Sequence, residues 1–352
     1  MKKYLHLGYP KNFSTSLQRN YFSSHKDIYH LGIGVGSNVG YLDDLTSALF
    51  EVYLKSAKDF KYQEVEEKLK RHIDDHVKKA KEQGAKCIGA SSEHFSFGFT
   101  YESLSFKQKI ARAVDLFGKD ELHFILVVRN QSDIIKSLFR ESVRVGLPNT
   151  YEEFIYGLYK FQDRNYVYDL RYDLIYDCLL EFLPAKNIHF AAFESCRDSN
   201  KKMITEEGQV KLIKDISSFL EVDYLDVNFQ HFNEALTDAE IIAKTELNKN
   251  NPHDLGREML FTAEVHRQFN YFNSELGVEE PEAKVYEDVL MKRKLISEAK
   301  EIAKQDPTLK LSYSCSKKIA EWFKEFYEEG NRRFSEKTSI KLTEVYYSLK
   351  FD

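Results

Sequence analysis

Two short stretches carry residues whose types and spacing could hold an anion. The first runs Tyr4-Leu-His-Leu-Gly-Tyr-Pro-Lys-Asn-Phe-Ser-Thr-Ser-Leu-Gln18: an apolar run ending in Gly8, a polar loop with Lys11, then the hydroxyls of Ser14, Thr15 and Ser16. Thr15 or Ser16 can cap a helix that continues through Leu17 and Tyr21, so the segment reads as strand, turn and helix. Backbone N–H groups at a helix start, several hydroxyls and one Lys make a cradle suited to phosphate. An ordinary strand-to-helix connection with a solvated Lys uses the same residues. In the second stretch the apolar run His123–Val128 ends at Arg129, and Ser137 follows in the next helix. A guanidinium and a hydroxyl so spaced can converge on one phosphate, the Arg with bidentate contacts, although an Arg after a strand also serves structure alone.

The spacing argues against the commonest phosphate loop. A nucleoside-triphosphate loop reads G-x-x-x-x-G-K-[ST], with its Lys after the last Gly. Here Lys11 comes early, the hydroxyl run comes after it, and no acidic ligand for Mg²⁺ stands nearby.

These residues need a scaffold, and the pattern supplies one. Strands are expected at the N-terminus, over 27–33, 85–91, 123–128 and 187–193. Helices are expected over 42–83, 105–117, from Asp133, over 167–183, over 211–220 and over 316–329. The glycines of 34–40 lack dinucleotide spacing and read as a loop, and the charged face of 64–81 reads as solvated. Alternation of strand and helix implies a doubly wound α/β fold with a central parallel sheet of about five strands, ligands lying at the carboxyl ends of strands. The Lys11 loop, Glu93, Arg129 and Glu194 all fall at such ends. The expected organisation is a core over 1–235, a mainly helical insertion over 236–311 and a C-terminal helix and segment over 312–352. The insertion could be a lid, an acceptor-binding element or a self-association surface.

A chain of 352 residues can bury a sizeable core. Its net charge of −5 excludes general nucleic-acid binding, which needs a basic footprint. Tyr and Phe far outnumber the single Trp322 and are assigned to core packing. Cys87, Cys178, Cys196 and Cys315 form no C-x-x-C pair or metal-ligand spacing, which suggests reduced thiols. With no signal-peptide core and no run of about 18 apolar residues, the expected setting is soluble and cytoplasmic.

The two anion stretches together resemble the sulfotransferases that use 3′-phosphoadenosine 5′-phosphosulfate (PAPS), in particular bacterial, carbohydrate-sulfotransferase-like members. The family's 5′-phosphosulfate loop, Pro-Lys-Thr-Gly-Thr-Thr-Ser, is matched by Pro10-Lys-Asn-Phe-Ser-Thr-Ser16. Its 3′-phosphate motif is matched by the strand from Phe124, then Arg129 and Ser137. The resemblance covers roughly Tyr4 to Asp223, with the strand ending Phe193-Glu194, plus the C-terminal Asn331-Arg-Arg segment. Two departures stand out: Phe13 replaces the loop glycine, so the backbone there approaches a phosphate less freely, and Asn12 stands where Thr is usual.

The resemblance implies a P-loop-like three-layer fold, PAPS as donor, adenosine 3′,5′-bisphosphate as product, and no required metal. Lys11 would stabilise the departing 5′-phosphate, while Asn12, Phe13, Ser14, Thr15 and Ser16 hold its oxygens. Arg129 and Ser137 would hold the 3′-phosphate, and Arg332 and Arg333 would close over the nucleotide; a solvated Arg pair is the plainer reading. The acceptor, a small molecule or glycan, needs a base. Glu93 is preferred and His94 is the alternative; Glu93 could also merely pair with Lys11 or Arg129. Two other functions compete: a nucleotide-dependent kinase, lacking a Walker-type loop here, and a non-catalytic nucleotide-binding or assembly protein that uses the helical insertion.

Overall fold

The computed structural model describes residues 1–9, 12–33, 41–55, 57–93, 95–96, 104–161, 166–197, 205–227, 236–251 and 294–351. Lys11, His94, the glycines of 34–40 and most of the expected insertion (252–293) therefore lie outside the described residues.

The expected sheet is present. Strands β1 (Lys2–Leu7), β2 (Ile28–Ile33), β3 (Cys87–Ser92), β4 (Leu122–Val128) and β5 (Ile188–Ala192) are all parallel, in the order β2-β3-β1-β4-β5. Every residue of β4 is buried, which is why its sequence from Phe124 to Val128 is an unbroken apolar run rather than an alternation. β1 sits at the centre, so its carboxyl end and the turn after it are flanked by the ends of β3 and β4.

One face of the sheet is covered by α1 (Ser14–Ser16), which widens into a π-helical turn over Leu17–Phe22, and by the helix α8 (Glu206–Leu220). Tyr4, Ile125 and Val127 pack there with Leu17, Tyr21, Phe22, Leu212, Ile213 and Ile216. The alternate strand residues, among them Leu5, Phe124 and Leu126, point the other way and are as deeply buried. Helices α3 (Asp59–Glu82), α4 (Phe106–Phe117) and α7 (Tyr172–Phe182) pack side by side, each with a buried apolar stripe such as Ile110, Ala113 and Phe117 on α4. The architecture is α/β, with helical layers about a central parallel sheet.

The chain divides into two compact units. The first comprises Met1–Asn130, Arg171–Phe232 and Arg333–Lys341, and holds the whole five-stranded sheet. The second comprises Gln131–Leu170, Asn233–Arg332 and Leu342–Asp352. It contains α5 (Gln131–Val145), α6 (Tyr151–Lys160), α9 (Asp238–Asn250), a helix over 294–303 and a two-stranded parallel sheet, Ser314–Cys315 with Lys350–Phe351. Polar side chains fasten this second unit. The Arg140 guanidinium donates to Asp238, to the Leu236 carbonyl and to the Tyr313 hydroxyl. Asn248 Nδ2 donates to the Val143 and Leu147 carbonyls, 2.9 Å each, and Gln131 and Asn331 exchange amide hydrogen bonds at 2.8 and 3.1 Å.

Several expected boundaries shift for local reasons. The 42–83 helix is two: Asp43 caps α2 (Asp44–Ala48, continuing as a π-helical turn to Tyr53), and α3 begins separately at Asp59. Thr205, not Lys211, marks the start of α8, its hydroxyl accepting from Gly208 N. α5 starts at Gln131, so Asp133 lies in its first turn and does not cap it. The 167–183 stretch splits into a 3₁₀ turn (Tyr168–Leu170) and α7, with Arg171 between them. The last helix, α11 (Lys317–Lys337), runs through Gly330 instead of stopping near Glu329. Its final turn is held in the first unit by Phe334, whose ring packs 5.0 Å from Phe190. Among the described residues no helix is long and apolar enough to cross a membrane.

Candidate functional site

The turn after β1 is shaped by its own side chains. Ser14 Oγ donates to the Tyr9 carbonyl at 2.8 Å, closing the loop on itself, and Ser96 Oγ donates to the Gly8 carbonyl at 2.9 Å. Asn12, fully buried, turns inward, and its amide donates to the Val127 carbonyl at 2.8 Å. That bond joins the loop to the end of β4, two residues before Arg129. Asn12 thus anchors the loop from inside instead of facing a ligand.

Helix α1 begins without the hydroxyl cap expected of Thr15 or Ser16. Its N-cap is Phe13, in the left-handed conformation at φ 65° and ψ 2°, with no side-chain cap. A residue without Cβ adopts that geometry most readily, so Phe13 keeps the backbone course that a glycine would favour. The first helical bond is Leu17 N–H to the Phe13 carbonyl at 2.9 Å. The amides of Ser14, Thr15 and Ser16 precede that ladder, as the first N–H groups of any helix do. Thr15 and Ser16 are half-buried, whereas Ser14 is buried.

Glu93 comes to the same turn from the neighbouring strand. β1 and β3 pair in register from Lys2 with Cys87 to Leu7 with Ser92, which puts the next residue, Glu93, beside Gly8. A Cβ on Gly8 would stand 2.7 Å from Ser14 Oγ and 3.1 Å from Glu93 Cγ. Three elements therefore meet where only a glycine fits. Beneath them, Gln18 Nε2 donates to Ser91 Oγ at 2.8 Å, and Ser91 Oγ lies 2.7 Å from His6 Nδ1. With the Ser91 hydroxyl donating to Nδ1, His6 carries its proton on Nε2. Burial lowers its pKa to about 3, so the floor of the turn is uncharged.

Arg129 stands at the end of β4, half-buried. Its guanidinium carbon lies 4.6 Å above the Phe193 ring, and Arg197, from the turn after β5, lies 4.7 Å from the same ring. The Phe13 ring packs against Phe193 with centroids 5.0 Å apart. Around this stack the chain is pinned: Tyr172 Oη donates to the Arg129 carbonyl at 2.5 Å, and Asn130 N–H donates to Glu194 Oε1 at 2.9 Å. Among the described residues, the buried Glu194 Oε2 has no hydrogen-bond partner. The first turn and Arg129 are thus joined twice, through Asn12 to Val127 and through Phe13 to Phe193. Sequence reasoning missed Arg197 and the ring beneath both guanidiniums; Phe193-Glu194 as a strand end was the only signal.

Other expected site residues lie elsewhere. Ser137 is half-buried on α5, in the second unit. Arg332 is exposed on α11 and pairs with Glu329 one turn earlier at 2.6 Å. Arg333 pairs with the buried Asp173, which Arg171 also contacts at 2.9 Å. Burial pushes the Asp173 carboxyl pKa up, but bonds and charge from Arg171 and Arg333 outweigh this and hold it below the usual value. Both C-terminal arginines have helix-borne carboxylate partners, the arrangement of a structural pair.

No protein-family model and no curated protein matches the chain. Among solved structures it is similar to a sulfotransferase from Alicyclobacillus acidocaldarius, with 16% identity and a TM-score of 0.42, over 80% of this chain and 97% of that one. A likeness that loose carries no argument about chemistry.

Proposed function

We propose that this protein is a PAPS-dependent sulfotransferase that moves a sulfuryl group in line onto an acceptor hydroxyl, most naturally of a carbohydrate or glycan. The observation that carries the reading is the convergence of Gly8, Ser14 and Glu93 at the end of β1, where side-chain atoms of Ser14 and Glu93 stand 2.7 and 3.1 Å from the place a Cβ on Gly8 would take, so that a hydroxyl and a carboxylate flank the turn. The left-handed start of α1 supports it by turning the chain into a helix whose first amides point out of the ladder.

The residues present fit such a donor. Lys11 and the amides of Ser14, Thr15 and Ser16 would hold its 5′-phosphate, and Arg129, whose guanidinium lies over Phe193, would hold its 3′-phosphate. PAPS supplies an activated sulfuryl group whose transfer leaves adenosine 3′,5′-bisphosphate. The chain's own part is to neutralise charge that grows on the leaving phosphate, the role of Lys11, and to take the acceptor's proton, the role of Glu93 with His94 as alternative. Neutral His6 beneath the turn adds no competing charge.

Calorimetric titration with adenosine 3′,5′-bisphosphate in the absence of Mg²⁺, followed by a labelled-PAPS assay over a panel of sugars, tests the proposal. Binding without metal and label transfer to at least one sugar are expected. Glu93→Gln should lower turnover by roughly 10²–10⁴-fold while keeping bisphosphate affinity. Stabilisation by Mg·ATP with none by the bisphosphate would replace this reading with the kinase one. Bisphosphate binding with no transfer to any acceptor would leave a nucleotide-binding protein.

A further inference from the structure

The loop before α2 and the middle of α3 bring together three side chains that the proposed transfer does not use. Asp43 caps α2, its Oδ1 accepting from Thr46 N at 2.8 Å. His72 and His76, four apart on α3, share one face of that helix. His76 Nε2 lies 2.9 Å from Asp43 Oδ2 and His72 Nε2 lies 3.3 Å from Asp43 Oδ1. One ligand atom from each of the three residues falls within 4.8 Å of the others. Thr46 Oγ1 is also in the group, 2.9 Å from His72 Nε2 and 3.2 Å from Asp43 Oδ2.

We propose that Asp43, His72 and His76 form a Zn²⁺ site that clamps the start of α2 to α3. Ligands about 2.0–2.1 Å from a tetrahedral zinc stand about 3.3–3.4 Å from one another. The His72–Oδ1 and His76–Oδ2 separations, 3.3 and 2.9 Å, run to different oxygens of Asp43, and the ligand atoms chosen one per residue lie within 4.8 Å of one another, so a modest adjustment of these side chains would admit the ion. Two imidazoles and one carboxylate suit zinc better than Mg²⁺ or Ca²⁺, which prefer oxygen ligands alone.

The outer contacts permit the required tautomer. His76 Nε2 faces Asp43 Oδ2 and its Nδ1 faces the Tyr29 hydroxyl, 3.1 Å away, with the tautomer deciding which atom donates. A bound zinc takes the Nε2 lone pair, and the imidazole proton moves to Nδ1. The Tyr29 hydroxyl then becomes its acceptor, since a phenol can play either part. The Asp43 side chain is 38% exposed, against 4% for His76, so one side of the site is open to solvent and to a fourth ligand. Zinc would thereby fasten two helices that the sequence reading merged into one.

Purified full-length protein stripped with a chelator, then titrated calorimetrically with ZnCl₂ and separately with MgCl₂, tests this without reference to any enzymatic activity. One zinc per chain, no response to magnesium, and visible Co²⁺ bands without thiolate charge transfer are expected. Asp43→Asn keeps a good N-cap and His72→Gln a good helix former. Each should lower zinc affinity at least tenfold while the metal-free circular dichroism stays that of the parent, and Cys178→Ser should leave affinity unchanged. If either variant fails to fold, the other and the Co²⁺ spectrum still decide. Absence of stoichiometric zinc, thiolate bands in the cobalt spectrum, or unchanged affinity in a folded His72→Gln variant would overturn the proposal.

Discussion

The ends of β1 and β4 are neighbours, yet they are built by opposite means. At the end of β1, polar side chains face inward: Asn12 to Val127, Ser14 to Tyr9, and Ser91 to His6 and Gln18 beneath. The described residues of that turn are held by hydrogen bonds within the protein. At the end of β4, guanidiniums are positioned by a ring face instead. Arg129 and Arg197 lie over Phe193, an arrangement that occupies the plane of a guanidinium and directs its N–H fork along the edge. One end is rigid by internal pairing and the other is a stacked platform. Substitutions should therefore act on stability at the first and on anion affinity at the second.

The largest expected effect is a pH dependence arising under the β1 turn. Burial lowers the pKa values of His6 and His30 to about 3, and both rings pack on Phe22. The unfolded chain takes up these protons near pH 6.5, whereas the native state does so only near pH 3. Stability is therefore full above about 6.5 and falls as pH drops through the window between the two values, by about 1.4 kcal/mol per pH unit for each histidine. At pH 5 the pair should cost about 4 kcal/mol relative to pH 7; burial of His123 and His189 acts in the same direction. Urea denaturation at pH 7 and pH 5 measures the difference, and His6→Asn should remove about 2 kcal/mol of it. An undiminished difference in that variant would show that the floor of the turn is not what titrates.

Asn12→Ala comes next. It leaves the Val127 carbonyl without its donor in a site closed to water, which costs about 1–3 kcal/mol. Thermal unfolding should report the loss before any ligand is added. If Asn12→Ala is as stable as the parent but binds bisphosphate far more weakly, Asn12 is a ligand group and the contrast between the two ends fails.

Phe193→Leu probes the other end. Leucine retains most of the apolar volume of this buried position but removes the π-face under Arg129 and Arg197, so stability should fall by only about 1 kcal/mol. Bisphosphate affinity should fall severalfold, read by calorimetry, with turnover at saturation nearly unchanged. A variant that loses stability alone would reduce the stack to core packing.

How much of this could be read from the chain alone follows the same division. The strands were legible because they are short apolar runs with punctuation, β4 most of all. Arg129 and Glu93 were legible as strand ends. Register then does what spacing cannot: pairing Leu7 with Ser92 is what carries Glu93 to Gly8. The inward turn of Asn12 and the sharing of Phe193 by two arginines are contacts between distant segments and leave no local periodicity. Arg332 and Arg333 were expected beyond the last helix because Gly330 reads as a stop; the helix runs through Gly330, and Phe334 packs on Phe190 one residue further on. The His72–His76 spacing was visible within a charged helix, but its partner Asp43 lies in a different element and only the fold brings them together.

The smallest prediction bears on the residue that joins the two ends. Phe13 holds a left-handed backbone, which costs a residue with a Cβ about 1–2 kcal/mol, and its ring packs on the core cluster that includes Phe193. Replacing it by Ala deletes the ring and keeps the strain; replacing it by Gly deletes both, at the cost of a more flexible unfolded chain. At a helix N-cap Gly already outranks Ala, and the left-handed backbone adds to that preference, so Phe13→Gly should be the more stable of the two by about 1 kcal/mol. Both should be less stable than the parent, because the ring contact outweighs relief of strain in a half-buried side chain. Chemical denaturation of the three proteins side by side gives the order directly. If Phe13→Ala proves the more stable, the turn is not committed to a left-handed residue, and the proposal that the amides of Ser14, Thr15 and Ser16 cradle a phosphate loses its geometric support.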